Sequence, residues 1–337
     1  MRSLHLEPAD GMALVPHRAG QHLPIRVTPA GQGGPLVRTY TLSTAPSDGH
    51  YRISVKQQGA VSAHLHALQV GDTLEAQGPA GGFTIDASAR RPAVLLAAGI
   101  GITPLLAMLR HLVAEGRRTR HQRPAWLFHA ARTRDDRAFD AEIQELVTSA
   151  KGAVRLVRVS SAADGLSAND DFDVAGRIDM ALLKAKLPFD DHDFYVCGPA
   201  AFMQGLYDGL TELNVPDARI HAEAFGPASI QRRAATNTPA PTLGPVSETS
   251  VRVVFAQSGK EARWNPGDGD LLTLAESRGI APAFGCRGGH CGTCTTKVLE
   301  GAVTYAEAPQ FPVSAGEVLL CRGMPAQASG SALHLQA

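Results

Sequence analysis

The chain has 337 residues, 44% of them hydrophobic and 19% charged, with 32 Lys+Arg against 32 Asp+Glu. This length suits two or three domains of roughly 100–200 residues, and the composition is that of a globular fold rather than a disordered chain. Balanced charge gives no bulk attraction to nucleic acid or an anionic membrane. No apolar run reaches the roughly 20 residues of a membrane span, and no signal-peptide core opens the chain, so a cytoplasmic setting is expected.

Residues 1–91 read as a small antiparallel barrel. "QHLPIRV", "PLVRTYTL", "YRISVKQ" and "DTLEAQ" are short, partly alternating runs bounded by Gly, Pro or Asp, with one helical stretch, "VSAHLHALQV", among them. The decisive segment is "RTYTLS". Arg38 can grip a phosphate, Tyr40 can lie against a flat ring, and the adjacent Thr41 hydroxyl can bond the ring's edge, the three expected to alternate along one strand, where residues i, i+2 and i+4 share a face. "GAVS" then supplies a glycine turn into a helix whose first amides can hold phosphate near Ser62.

Residues 92–226 alternate apolar strands with amphipathic helices, which implies a parallel sheet covered on both faces. The apolar run at Val94 suits a strand buried on both faces. It turns at Gly99-Ile-Gly101, and Thr103 is placed to cap a helix with Pro104 at its first position. This is not a dinucleotide fingerprint of the Gly-x-Gly-x-x-Gly kind, because Pro104 stands where the third glycine belongs. "DFYVCGPAA" ends another strand at Cys197, Gly198 and Pro199, and "AEAF" brings Glu223 and Phe225 to the last strand. Left to themselves, Cys197 also fits a buried core thiol ending a strand, and Phe225 ordinary core packing.

Residues 227–248, rich in Pro, Ala, Thr and Ser without an apolar period, read as a linker. Residues 249–337 combine strand-like "SVRVVFAQS" and "TTKVLEGAVTY" with a helical "LLTLAESRG", a small mixed sheet crossed by one helix. Four of the chain's five cysteines lie here: Cys286, Cys291, Cys294 and Cys321 give C-x4-C-x2-C and a distant fourth. That is the plant-type 2Fe–2S spacing. The interspersed glycines let backbone wrap closely around a cluster. Structural zinc is the competing reading, but zinc sites usually pair two short Cys knuckles, and the second is missing.

Arg-x-Tyr-Thr, Gly-x-Val-Ser, Gly-x-Gly-x-Thr-Pro and Cys-Gly-Pro, in this order, resemble the ferredoxin–NADP reductase superfamily. With a C-terminal ferredoxin domain, the chain is similar to the phthalate dioxygenase reductase and vanillate demethylase reductase family, while its flavin half resembles flavohaemoglobin reductase domains. The resemblance implies a β-barrel flavin domain, an α/β nucleotide domain and a β-grasp ferredoxin domain. It places Arg38 and Ser62 on flavin phosphate, Tyr40 on the isoalloxazine and Thr41 near its N5. Gly99, Gly101 and Thr103 would form the pyrophosphate turn. Cys197, Gly198 and Pro199 would border the nicotinamide, and Glu223 and Phe225 would lie near the flavin. FAD is expected, with FMN as the alternative.

The resemblance also implies an order of transfer. A nicotinamide gives two electrons as hydride, a cluster takes one, and a flavin handles either, so it belongs between them. The reading is an NADH-dependent reductase exporting electrons to an acceptor protein or domain, such as an oxygenase component. The alternative is a redox or binding module that keeps the fold without turnover. NADH is preferred over NADPH because "VRVSSAADG" offers Asp164, and no Ser-Arg pair, where NADP-using relatives hold the 2′-phosphate; Arg132 and Arg134 are the competing cations, offset by Asp135 and Asp136. The opening "MRSLHLEPADG" starts where relatives are already in a second barrel strand, so an N-terminal piece is expected to be missing.

Overall fold

The computed structural model describes residues 1–29, 36–162, 171–225, 230–232, 244–280, 282, 284, 287–289, 292, 294–309, 311 and 313–337. The chain forms two compact units, Met1–Phe225 and Gly226–Ala337. No helix among the described residues is long and apolar enough to cross a membrane.

The first unit opens with β1 (Arg2–Leu6), β2 (His22–Val27), β3 (Leu36–Thr41), β4 (Tyr51–Val55), helix α1 (Ala60–Ala67) and a two-residue β5 (Glu75–Ala76). β1 pairs antiparallel with β4, and β2 lies antiparallel between β3 and β5. A bridge between Leu42 and Ile53 joins the two sheets. Leu23, Ile25, Leu42, Ile53, Val55 and Leu65 fill the interior of this partly open barrel. "DTLEAQ" contributes only Glu75 and Ala76 as a strand, both exposed, because a short edge needs no apolar face.

The same unit continues through β6 (Ala93–Ala98), α2 (Ile102–Thr119), β7 (Ala125–Ala131), α3 (Asp140–Ser149), β8 (Val154–Ser160), β9 (Val174–Ala175), α4 (Met180–Lys186), β10 (Asp193–Cys197), α5 (Ala200–Glu212) and β11 (Ile220–Glu223). The six strands are parallel in the order β11-β10-β6-β7-β8-β9. Order reverses beside β6, the switch point where open α/β sheets bind ligands. Ala19, Phe83 and Ile85 from the barrel side share a core with Leu95, Ile102, Leu105 and Leu127, so the expected boundary at residue 91 separates two sheets that share a packed core.

The second unit holds β12 (Val251–Phe255), β13 (Lys260–Trp264), α6 (Leu271–Ser277), β14 (Thr295–Glu300), β15 (Val303–Tyr305), β16 (Glu317–Leu319), β17 (Gly323–Pro325) and β18 (Ala332–Leu335). Its five-stranded mixed sheet runs β13-β12-β18-β14-β16, and β15 pairs with β17. Asp270 caps α6 by accepting from the Thr273 amide at 2.8 Å. The end of the expected linker belongs to this unit: Ser247 N donates to Pro325 O at 2.9 Å, and Thr304 Oγ1 donates to Gly244 O at 2.6 Å.

Candidate active site

In β3 the side chains divide by strand parity. Arg38 is exposed and Tyr40 half-buried on one face, while Thr41 is buried on the other. The three do not share a face as the sequence suggested, and Thr41 shares its face with His22, its register partner on β2. Burial raises the Tyr40 hydroxyl above its ordinary pKa, with Arg38 opposing. The Ser62 hydroxyl is already satisfied, accepting from the Gln58 amide at 2.6 Å and donating to Gly59 O at 3.0 Å. It therefore stabilises the turn. Gly59, at φ 90°, leads into α1 with open space around it, so the first amides of α1, which have no intrahelical acceptors, are the groups suited to phosphate.

The turn from Gly99 to Gly101 divides its glycines between two tasks. Gly99 adopts φ +57° and faces open space. Gly101 is packed tight: a Cβ there would lie 2.1 Å from Cys197 O and 2.8 Å from Gly198 N. Gly198 is confined in turn, since a Cβ would meet Phe202 Cδ1 at 2.7 Å and Ala98 Cβ at 2.9 Å. Thr103 does not cap: α2 starts at Ile102, Gly101 is its N-cap, and Thr103 Oγ1 donates back to Ile100 O at 3.1 Å. Pro104 thus falls third in the helix, still within the first turn where its missing N–H costs nothing.

Cys197 ends β10 fully buried beside Glu223, its register partner on β11. Burial pushes the thiol well above its usual range, and the Glu223 charge adds to this. Such a thiol is not a thiolate at neutral pH. Phe225 is 42% exposed, so it is not core packing and its ring is open to a ligand.

The sequence did not single out His22. It lies 4% exposed, with Nδ1 3.8 Å from Glu223 Oε1. His22 Nε2 and Glu223 Oε2 are buried without a hydrogen-bond partner. Gly81 presses on the ring, since a Cβ there would reach Nδ1 at 2.9 Å. The only signal was the phase of "GQHLP": His22 falls opposite in strand parity to Leu23 and Ile25, which fill the barrel interior. Through His22, Thr41 of the barrel and Cys197-Gly101 of the nucleotide domain converge on Glu223. Buried acceptors and donors left unpaired beside an open glycine turn fit a polar flat ligand such as a flavin edge.

In the second unit, Cys294 and Cys321 are each 3% exposed, and Leu320 N donates to Cys294 O at 3.1 Å, bringing their segments together. Cys286 and Cys291 lie outside the described residues. Arg287, Gly289 and Gly292 all have positive φ, the conformation that lets a loop curl around a cluster. A Cβ on Gly292 would sit 2.3 Å from Phe311 Cζ, so a larger residue would force that ring to move. Tyr305, whose hydroxyl accepts from Leu319 N at 3.1 Å, has its pKa raised by burial, and Cys294 and Cys321 add to the effect. These features fit a thiolate-held iron–sulfur group.

Beyond β7, Arg134 pairs with Asp171 at 3.1 Å, so its counter-charge is not the neighbouring Asp135 or Asp136. Arg132 is exposed, and Ser160 Oγ donates to its carbonyl at 2.7 Å. Asp164 lies outside the described residues.

Comparison with known proteins gives three domain families in series. Residues 3–85 match the oxidoreductase FAD-binding domain, residues 95–208 the oxidoreductase NAD-binding domain, and residues 254–326 the 2Fe-2S iron-sulfur cluster binding domain. A flavohemoprotein of Deinococcus radiodurans is 40% identical over 229 residues, 67% of this chain and 56% of that protein, so the chain spans about half the length of this relative. The flavohem-like FAD/NAD-binding domain of nitric oxide dioxygenase from Vibrio cholerae is 35% identical, with a TM-score of 0.58 over 67% of this chain and 92% of that one. Phthalate dioxygenase reductase, described as a modular structure for electron transfer from pyridine nucleotides to [2Fe-2S], is 25% identical with a TM-score of 0.56, covering 99% of this chain and 92% of that one.

Proposed function

Because this chain belongs to the ferredoxin–NADP reductase superfamily, with FAD-, NAD- and 2Fe–2S-binding domains in series, we propose that it is an NADH-dependent reductase exporting single electrons to an acceptor protein. The observation that carries this reading is the convergence at Glu223. Thr41 pairs with His22, His22 Nδ1 lies 3.8 Å from Glu223, Glu223 pairs with Cys197, and Cys197 packs on Gly101. One short path therefore joins the flavin strand to the nicotinamide turn. When bound, the flavin accepts a hydride and gives up electrons singly, and the cluster carries them one at a time.

The chain's own residues supply binding and geometry. Arg38 takes a phosphate charge with its exposed guanidinium, and Tyr40 and Phe225 offer rings to the two faces of the isoalloxazine. Thr41 presents a hydroxyl at the ring's edge. Ser62 shapes the turn that aims the amides of α1 at phosphate. Gly99 leaves the pyrophosphate room, Gly101 and Thr103 set the start of α2, and Cys197-Gly198-Pro199 walls the nicotinamide with an uncharged thiol. Cys286, Cys291, Cys294 and Cys321 hold the cluster. The acceptor is a protein or domain such as an oxygenase component, in a cytoplasmic setting. The purified holoprotein with NADH should reduce cytochrome c, a one-electron acceptor; failure to reduce any acceptor would favour a non-catalytic redox module instead.

A further inference from the structure

Glu142, on α3 of the nucleotide domain, is 90 residues from its nearest barrel partner in sequence, and no motif includes it. Its carboxylate is held by two arginines, both of which bond Oε1. Arg52, on barrel strand β4, donates Nη1 to Oε2 at 2.8 Å and Nη2 to Oε1 at 3.0 Å, the two-pronged geometry that fixes both distance and orientation. Arg110, on α2, donates Nη1 to Oε1 at 2.5 Å and Nε to Asp48 Oδ2 at 2.7 Å, and Asp48 belongs to the barrel. Each domain thus contributes one cation and one anion, and two of the three ion pairs cross between them.

The arrangement is tied to the site at both ends. Arg52 also donates Nε to Ser43 Oγ at 2.9 Å and Nη2 to Ser43 O at 2.8 Å, and Ser43 stands two residues beyond Thr41. Arg110 lies on the helix that grows from the Gly99–Gly101 turn. Phe139 places its ring 5.1 Å beneath the Arg52 guanidinium, on a residue held at φ 62° at the start of α3. Side-chain exposures run from 11% for Arg52 to 24% for Arg110, so salt screens these pairs only weakly. Burial disfavours the Glu142 anion, yet the bonds to Arg52 and Arg110 outweigh this and hold its carboxyl below the usual range.

We infer that Glu142 is a positioning residue for electron entry: clamped between Arg52 and Arg110, it fixes the nicotinamide turn over the flavin strand. The inference rests on the proposed reading that reduced nicotinamide delivers its electrons at this site. A partly buried, balanced set of four charges tolerates loss of a member poorly, because an unpaired charge remains behind. Without Glu142 two arginines face each other across the domain junction, and the junction shifts. Misplacing reacting groups by about 1 Å can cost ~10²-fold in rate.

The test is Glu142→Gln in the holoprotein, with flavin reduction by NADH followed in single turnovers. Reduction should slow at least tenfold at saturating NADH, with little change in KM and unchanged flavin and cluster absorbance. Calorimetry gives a second readout: the unit that holds both sheets should melt at a lower temperature in the variant than in the natural protein. Asp48→Asn breaks the other crossing pair while leaving Glu142 its fork, and should act in the same direction, more weakly; it decides the matter if Glu142→Gln does not fold. Reduction within twofold of the natural rate in either folded variant overturns the inference alone. A natural protein that NADH does not reduce overturns the proposed function, and the inference with it.

Discussion

Gly101→Ala is a sharp perturbation of the nucleotide turn. Gly101 sits at φ −60°, a conformation alanine adopts freely, so the only obstacle is space. The added Cβ would lie 2.1 Å from Cys197 O and 2.4 Å from Cys197 C, both main-chain atoms that cannot rotate away. Reaching ordinary contact at 3.4 Å requires the turn and the end of β10 to separate by about 1.3 Å. Overpacking of this kind costs about 1–3 kcal/mol. For a unit of this size that lowers Tm by roughly 2–4 °C per kcal/mol. A displacement on this scale at the proposed nicotinamide wall should reduce kcat/KM for NADH by about 10²-fold, while flavin content stays unchanged because the barrel has its own core. Gly99→Ala is the control for packing in the melts only: a Cβ there meets no protein atom, and at φ +57° its stability cost is the left-handed conformation, about 1–2 kcal/mol. Thermal melts read both variants, and steady-state ferricyanide reduction reads Gly101→Ala. A Gly101→Ala protein with natural Tm and natural kcat/KM would refute the packing of the turn against Cys197.

Burial, with Arg137 adding, holds His129 neutral at a pKa of about 3, and both ring nitrogens lack partners. Unfolding frees it to take a proton near pH 6.5, so its contribution to stability is intact above that pH and is lost as pH falls toward 3, at up to ~1.4 kcal/mol per pH unit. His129→Phe should flatten the fall of unfolding free energy between pH 6.5 and 4.5 relative to the natural protein; parallel curves would contradict this. NADH should give a higher kcat/KM than NADPH, since Arg134 already spends its charge on Asp171; the opposite ratio would make Arg132 the first residue to replace. Flavin released by heat should brighten on phosphodiesterase treatment, as FAD does and FMN does not; no change would return FMN to the site.

What could be read from the sequence was whatever depends on neighbours along the chain. The strand and helix alternation, the glycine turn at Gly99 and the cysteine spacing are local patterns. The helix boundary at Ile102 was missed because Thr103 resembles a cap, yet its hydroxyl turns back to Ile100. Thr41 was assigned to the face of Arg38 and Tyr40, although strand parity alone sets it opposite. The His22–Glu223 meeting and the Arg52–Glu142 fork could not be read at all. They depend on how two sheets pack, and an arginine in "YRISV" or a glutamate in "AEIQEL" has the same local pattern on any solvated surface. The binding of residues 244–247 to the ferredoxin unit was hidden likewise, because a Pro-rich stretch reads as linker until its partners are known.

The central claim is the order of electron flow, nicotinamide to flavin to cluster to acceptor. Cys294→Ser tests it most directly, since Cys294 is buried beside the segment of Cys321. The variant should lose the cluster's visible absorbance and its NADH–cytochrome c activity, while NADH–ferricyanide activity at the flavin largely survives. Equal loss of both activities in a variant that keeps its flavin would contradict that order.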